Sequence, residues 1–169
     1  MALFGIINPD GVILYQTVLG STVYIDDPNL PNMLAWTSHD NFDILSKERQ
    51  GCYLGIVEIF GDWKAFGMLS VSGERIIILI YSDGKTAFDE SQVRQFLLNS
   101  HEEWTKSVIF NPFYQRINCV VSKINDKVLL HSESNKILER ANSFSRLLPK
   151  TLQDFDVKLR LIARKYGLN

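Results

Sequence analysis

Tyr53 to Tyr81 reads YLGIVEIFGDWKAFGMLSVSGERIIILIY, and the periodicity of this stretch decides the fold. Tyr53 to Phe60 and Trp63 to Val71 are rich in β-branched and aromatic residues, which suit a pleated surface, and only Gly61-Asp62 separates them. Glycine at the first position of a two-residue connection supplies the positive φ of a type II′ turn, so the pair predicts a hairpin. Ser72-Gly73-Glu74 marks the next turn, and Arg75 to Tyr81 predicts a third strand. Tyr53, Val57 and Ile59 alternate against Leu54, Ile56 and Phe60, while Ile76, Ile78 and Ile80 alternate against Ile77, Leu79 and Tyr81. Apolar residues in both phases predict a sheet buried on both faces, because a sheet with one wet face alternates apolar with polar. Helices covering both sides satisfy that demand. Gly55 and Gly67 fit two readings, room for a close helix approach or a β-bulge.

Towards the N-terminus, Leu3 to Ile7 and Val12 to Leu19 flank the turn signal Asn8-Pro9-Asp10-Gly11 and predict a second hairpin. A loop marked by Asp26-Asp27-Pro28 and Pro31 follows. Leu30, Met33, Leu34, Thr37, Ile44 and Leu45 then recur at helical spacing to about Arg49, with a polar break expected near Asp40-Asn41 and a stop at Gly51. Towards the C-terminus, a long helix is expected from near Thr86, whose spacing to Asp89 resembles a capping box, to about Ile109. Val93, Phe96, Leu97, Ser100, His101, Trp104, Ser107 and Val108 form its inner face. Ile117 to Leu130 reads either as a hairpin or as a mobile loop, and Ile137 to Leu148 suggests a short helix stopping before Pro149. Leu152, Phe155, Leu159, Ile162 and Ala163 define a last amphipathic helix ending at Gly167. The expected order is therefore β-β-α-β-β-β-α, an additional segment, then α.

The composition is that of a globular chain with one core: 169 residues, 46% apolar and 22% charged. Its 18 basic and 19 acidic residues are well mixed, so no electrostatic footprint for nucleic acid or an anionic membrane is visible. The local exception is the C-terminal run containing Lys158, Arg160, Arg164 and Lys165, read as a solvated helix face whose cations suit a helix C-terminus. Two cysteines, Cys52 and Cys119, and no Asn-x-Ser/Thr acceptor argue against a disulfide-framed secreted chain. Ala2 to Ile7 lacks a basic flank and meets Pro9 at once, so it makes a poor signal peptide. The longest strictly apolar run, Ile76 to Tyr81, is too short to cross a bilayer, and any membrane association is expected to be peripheral.

Catalytic patterns are sparse. His101-Glu102 lacks a second histidine at position 105, where a zinc-binding helix needs its second imidazole. No phosphate-cradling glycine loop and no Gly-x-Ser-x-Gly elbow is present. His39, His101 and His131 lie far apart, and a site joining them to Cys52 or Cys119 has no spacing to support it. Catalytic residues, cofactor and metal are all expected to be none. A membrane-fusion protein would carry a sustained heptad helix and an anchor, which the end of this sequence does not show.

Asn111-Pro112-Phe113-Tyr114 closes the long helix in a way no packing rule demands. Pro112 lacks an N–H and pushes Asn111 out of the α region, so the chain turns while Phe113 and Tyr114 still have rings to bury. With Tyr53-Leu54-Gly55 and the stretch through Val71, this tetrapeptide resembles the sedlin family, subunit 2 and subunit 2-like components of the TRAPP vesicle-tethering complex. Ser38-His39-Asp40 followed by Phe42-Asp43 is similar to the family's small-leucine-aspartate pattern, with His39 where the family carries leucine. Phe155-Asp156-Val157-Lys158-Leu159 and Ala163-Arg164-Lys165 resemble its closing helix.

The resemblance implies an α+β, longin-like (profilin-like) fold: a five-stranded antiparallel sheet with helices on both faces. Residues 1–169 would form a single domain, with an insertion at about 115–150 longer than the family's connection. The implied function is a non-catalytic adaptor in ER-to-Golgi and intra-Golgi transport, cytoplasmic and peripheral at those membranes. Other TRAPP subunits would be its partners, with a Rab GTPase engaged indirectly and neither nucleic acid nor direct membrane insertion involved. Asp40, Asp43 and Trp36 are the candidate partner contacts, Asp40 because it lies on the patterned helix with Ile44, not a cation, four residues on. Asn111, Pro112, Phe113, Tyr114, Phe155 and Asp156 are read as structural. The alternatives are a free-standing longin-like module for another trafficking or small-molecule partner, and an enzyme with an unrecognised site.

Overall fold

A computed structural model of the chain describes residues 2–20, 30–82, 89–110 and 150–168. Its elements are β1 (Ala2–Ile7), β2 (Ile13–Leu19), α1 (Leu30–Glu48), β3 (Tyr53–Phe60), β4 (Trp63–Leu69), β5 (Arg75–Tyr81), α2 (Glu90–Trp104) and α3 (Lys150–Lys165). A π-helical turn, Thr105–Ile109, follows α2 directly. Thr86, the 115–149 segment and Asn111, Pro112, Phe113 and Tyr114 lie outside the described residues.

The five strands form one sheet in the order β2-β1-β5-β4-β3, and every neighbouring pair is antiparallel. β5 takes the centre: it pairs with β1 along its full length, from Ala2 opposite Ile80 to Ile7 opposite Arg75, and with β4 on its other side. The local turns follow from their residues. Gly11 sits at φ 83°, and Asn8 closes the first hairpin through its side-chain oxygen, which accepts from Val12 N–H at 2.7 Å. Gly61 adopts φ 56° with no positive φ at Asp62, the requirement of a type II′ turn. β4 stops at Leu69, short of the expected Val71, because Ser70 N–H donates to Glu74 O at 2.8 Å and Gly73 N–H to Ser70 O at 3.0 Å. That closed turn leaves Val71 95% exposed.

Both faces of the sheet are buried, and two separate clusters result. Leu3, Phe42, Leu54, Val57, Trp63, Ala65, Ile77 and Leu79 pack under α1. Phe4, Ile6, Tyr15, Phe66, Met68, Ile76, Ile78 and Ile80 pack under α2 and α3 with Val93, Phe96, Trp104, Phe155 and Leu159. The alternation expected in β5 therefore holds, but that in β3 does not. Register shifts between Tyr53 and Gly55 and between Ile56 and Glu58 put Leu54, Val57 and Phe60 on the α1 face and Tyr53 and Ile56 on the other. Each shift inserts a residue that turns the following side chains over, which a period-two reading cannot anticipate. Each reading of the two glycines applies at one of them. Gly55, at φ 68°, belongs to the irregular start of β3, whereas a Cβ on Gly67 would lie 2.5 Å from Val57 Cγ2 and 2.7 Å from Phe42 Cζ.

Two helix expectations are also corrected. α1 runs unbroken through Asp40-Asn41, because Asn41 is anchored outside the helix, its amide donating to Glu58 Oε2 on β3 at 3.0 Å. α2 is capped by Asp89, whose carboxylate accepts from Ser91 N–H at 2.9 Å. α3 ends as expected: Gly167 takes φ 69°, Leu168 N–H reaches back to Ala163 O at 2.9 Å, and the Leu168 side chain is buried.

Candidate interaction surface

α1 has its apolar side chains Phe42 and Leu45 in the sheet cluster, so positions 33, 37, 40 and 44 fall on its outward stripe. Met33 is 60% and Ile44 56% exposed, and Thr37 and Asp40 lie exposed between them. Asp40 thus stands on an outward face between two apolar side chains. Asp43 lies beside this stripe but is held within the chain: its carboxylate pairs with the Arg75 guanidinium at 2.7 Å. Arg75 is nearly buried and also donates to Pro9 O at 3.5 Å, so the pair ties α1 to β5 and the first hairpin. Trp36 is placed on α1 by its backbone, and its side chain is outside the described part.

At the far end of α1, Arg49 donates to Ile56 O at 3.5 Å on the edge strand β3. The same corner holds Tyr53, whose hydroxyl donates to Glu90 Oε1 at 3.3 Å and whose ring lies 5.6 Å from the Arg94 guanidinium. Burial, reinforced by Glu90, holds the Tyr53 hydroxyl well above its ordinary pKa. α1, β3 and α2 are fastened together there.

Across the sheet, Phe155 and Asp156 act as neighbours with different duties. Phe155 is fully buried, edge-on to Tyr15 at 4.9 Å and to Trp104 at 5.2 Å between centroids. Asp156, also buried, accepts from the Tyr15 hydroxyl and from Arg160 Nε at 2.8 Å. Arg160 continues to the sheet edge, donating to Thr17 Oγ1 at 3.0 Å and Val18 O at 3.3 Å. Burial first, and then the Asp156 charge, drive the Tyr15 pKa far above its usual value. α3 is fixed to α2 by Lys158, which donates to Glu103 Oε2 at 2.9 Å and holds that carboxyl below the usual carboxylate range.

Nothing local in the sequence announces Tyr15, Arg75 or Arg160. Tyr15 and Asp156 are 141 residues apart, and Arg75 opens a strand whose other residues are all apolar or aromatic. Among the described residues no group of three His, Cys, Asp or Glu side chains is placed to hold a metal ion. Cys52 is a free, exposed thiol, while Cys119 and His131 lie outside the described residues. No helix among the described residues is long and apolar enough to cross a membrane.

The family model described as Sedlin matches residues 6–134. The chain belongs to the sedlin family. Sedlin proteins are longin-like, and the five-stranded antiparallel sheet with helices on both faces seen here agrees with that fold. The sedlin match begins in β1, takes in both hairpins, α1 and α2, and ends before α3. The sedlin family is a family of non-enzymatic, TRAPP-related trafficking subunits. Among curated proteins none matches this sedlin chain.

Proposed function

We propose that this sedlin-family chain is a non-catalytic adaptor subunit of the TRAPP vesicle-tethering complex, acting in ER-to-Golgi and intra-Golgi transport. It works by protein contacts within a Rab guanine nucleotide exchange assembly: other TRAPP subunits bind it directly and the Rab GTPase is engaged through them. It resides in the cytoplasm, peripheral to ER and Golgi membranes. The reading rests on family membership, and what supports α1 as the docking face is its outward stripe, where Asp40 stands between the exposed side chains of Met33 and Ile44. Burying the exposed part of each apolar side chain on a neighbour contributes about 1 kcal/mol, and the carboxylate between them adds orientation.

The test is affinity purification of the tagged chain from its own cells, with quantification of co-eluting TRAPP subunits. Asp40→Trp and Ile44→Glu are each expected to reduce those subunits about tenfold, the size of an ordinary interface anchor. Both positions face outward, so the melting temperature should stay within about 2 °C of the parent. Undiminished subunits would remove α1 as the docking face, and a parallel loss of melting temperature would make these residues structural.

A further inference from the structure

On the face of the sheet opposite α1, α3 carries a surface of contrasting charge. Its inner positions, Leu152, Phe155, Leu159 and Ala163, are buried, while Val157 and Leu161 point outward, 59% and 57% exposed and one turn apart. Arg164 and Lys165 follow within the next turn, and both are exposed. α3 holds five basic and two acidic residues, against one basic and three acidic in α1. A chain with a formal charge of only −1 therefore sets a cationic helix and an anionic helix on opposite faces of one sheet. Two of the α3 cations are bound inward, Lys158 to Glu103 and Arg160 to Asp156, and these pairs hold the helix in place. Arg164 and Lys165 are the cations left beside the apolar pair, and Lys165 Nζ also lies 5.3 Å from the Tyr166 ring centroid.

The geometry points to Val157, Leu161, Arg164 and Lys165 as a second docking surface, occupied by a partner protein that presents an acidic helix face with apolar residues. Exposed Asp154 lies one turn before the apolar pair and the two cations one turn after it, so the C-terminal end of this small anchor carries the positive rim that selects an oppositely charged partner. A lipid surface is the poorer match. Helices that lie in a membrane interface insert a broad apolar face, and the broad apolar face of α3 is already spent on α2 and the sheet. The surface lies beyond residues 6–134, so it stands apart from the family match and does not depend on α1.

A photoreactive benzoylphenylalanine replacing Leu161 in the full chain, expressed in its own cells, reads the contact directly; Val157 is the second position if the first variant melts early. The expected adduct is with another protein, maps to an acidic, apolar peptide, and survives Ile44→Glu. Its yield should fall about tenfold with Arg164→Glu and Lys165→Glu combined, and several-fold when salt is raised to about 0.5 M. Absence of a protein adduct at both positions, an adduct with lipid, with a basic peptide or with a second copy of the chain, or a yield indifferent to the charge reversals would overturn the assignment. So would sedimentation of the purified chain with phosphatidylserine vesicles that Leu161→Glu abolishes.

Discussion

Tyr15 shows how a single side chain joins elements that are remote in sequence. Its ring lies against Phe155, and its hydroxyl donates to the buried carboxylate of Asp156, so one residue of β2 serves both halves of the Phe155-Asp156 pair. A hydrogen bond to a charged group contributes about 1.5–3 kcal/mol, and Tyr15→Phe is expected to lower unfolding stability by about 2 kcal/mol in urea titration at neutral pH. The pH dependence has a definite sign. The folded chain keeps the Tyr15 proton to higher pH than the unfolded chain, whose tyrosines ionise near pH 10. The contribution is therefore whole below about pH 10 and is lost as pH rises through the folded pKa. Urea midpoints measured from pH 8 upward should decline beyond about pH 10, and less steeply in Tyr15→Phe. The raised Tyr53 supplies a remaining slope of the same sign. An identical alkaline slope with and without the Tyr15 hydroxyl would contradict this assignment. The apolar role of Phe155 could be read from helical spacing, whereas the partner of Asp156 could not, because no local rule relates residues 141 positions apart.

For elements, the seat of α1 on the sheet is decided by a missing side chain. Gly67 has ordinary negative φ, and what it provides is space, since Phe42 of α1 and Val57 of β3 close over it. Gly67→Ala is expected to cost about 1–3 kcal/mol by overpacking. Phe42→Leu should relieve part of that clash, making the double variant less destabilised than the two single losses added together. Strict additivity would show that the cost arises elsewhere, in the β-strand backbone. The same element-level reading explains where periodicity misled. In β5 no register shift occurs and the alternation places every side chain correctly. In β3 two shifts within a few residues bring Leu54, Val57 and Phe60 to one face. Bulges on an edge strand also spoil its template for unwanted pairing, which makes β3 a poor docking edge.

For the whole molecule, the sheet is the common wall of two apolar clusters, one holding Trp63 and the other Trp104. Residues 1–169 are read as one domain, and this arrangement makes that reading testable: neither cluster can persist once the sheet they share is lost. Variants retaining only Trp63 or only Trp104, the other tryptophans replaced by Phe, should show coincident urea transitions by fluorescence and by far-UV circular dichroism. Separated midpoints would mean two folding units. The sequence alone determined the order of the described elements, the burial of the sheet on both faces, the turns at Asn8-Pro9-Asp10-Gly11 and Gly61-Asp62, and the resemblance that the sedlin match confirms. These depend on spacings of a few residues, over which backbone geometry repeats. Only the tertiary structure decided that Asp43 is held by Arg75 while Met33, Asp40 and Ile44 face outward, that Asp156 belongs to Tyr15, and which side of the sheet each β3 residue takes. Those outcomes follow from how separate elements pack, and packing couples residues whose separation along the chain carries no repeating signal.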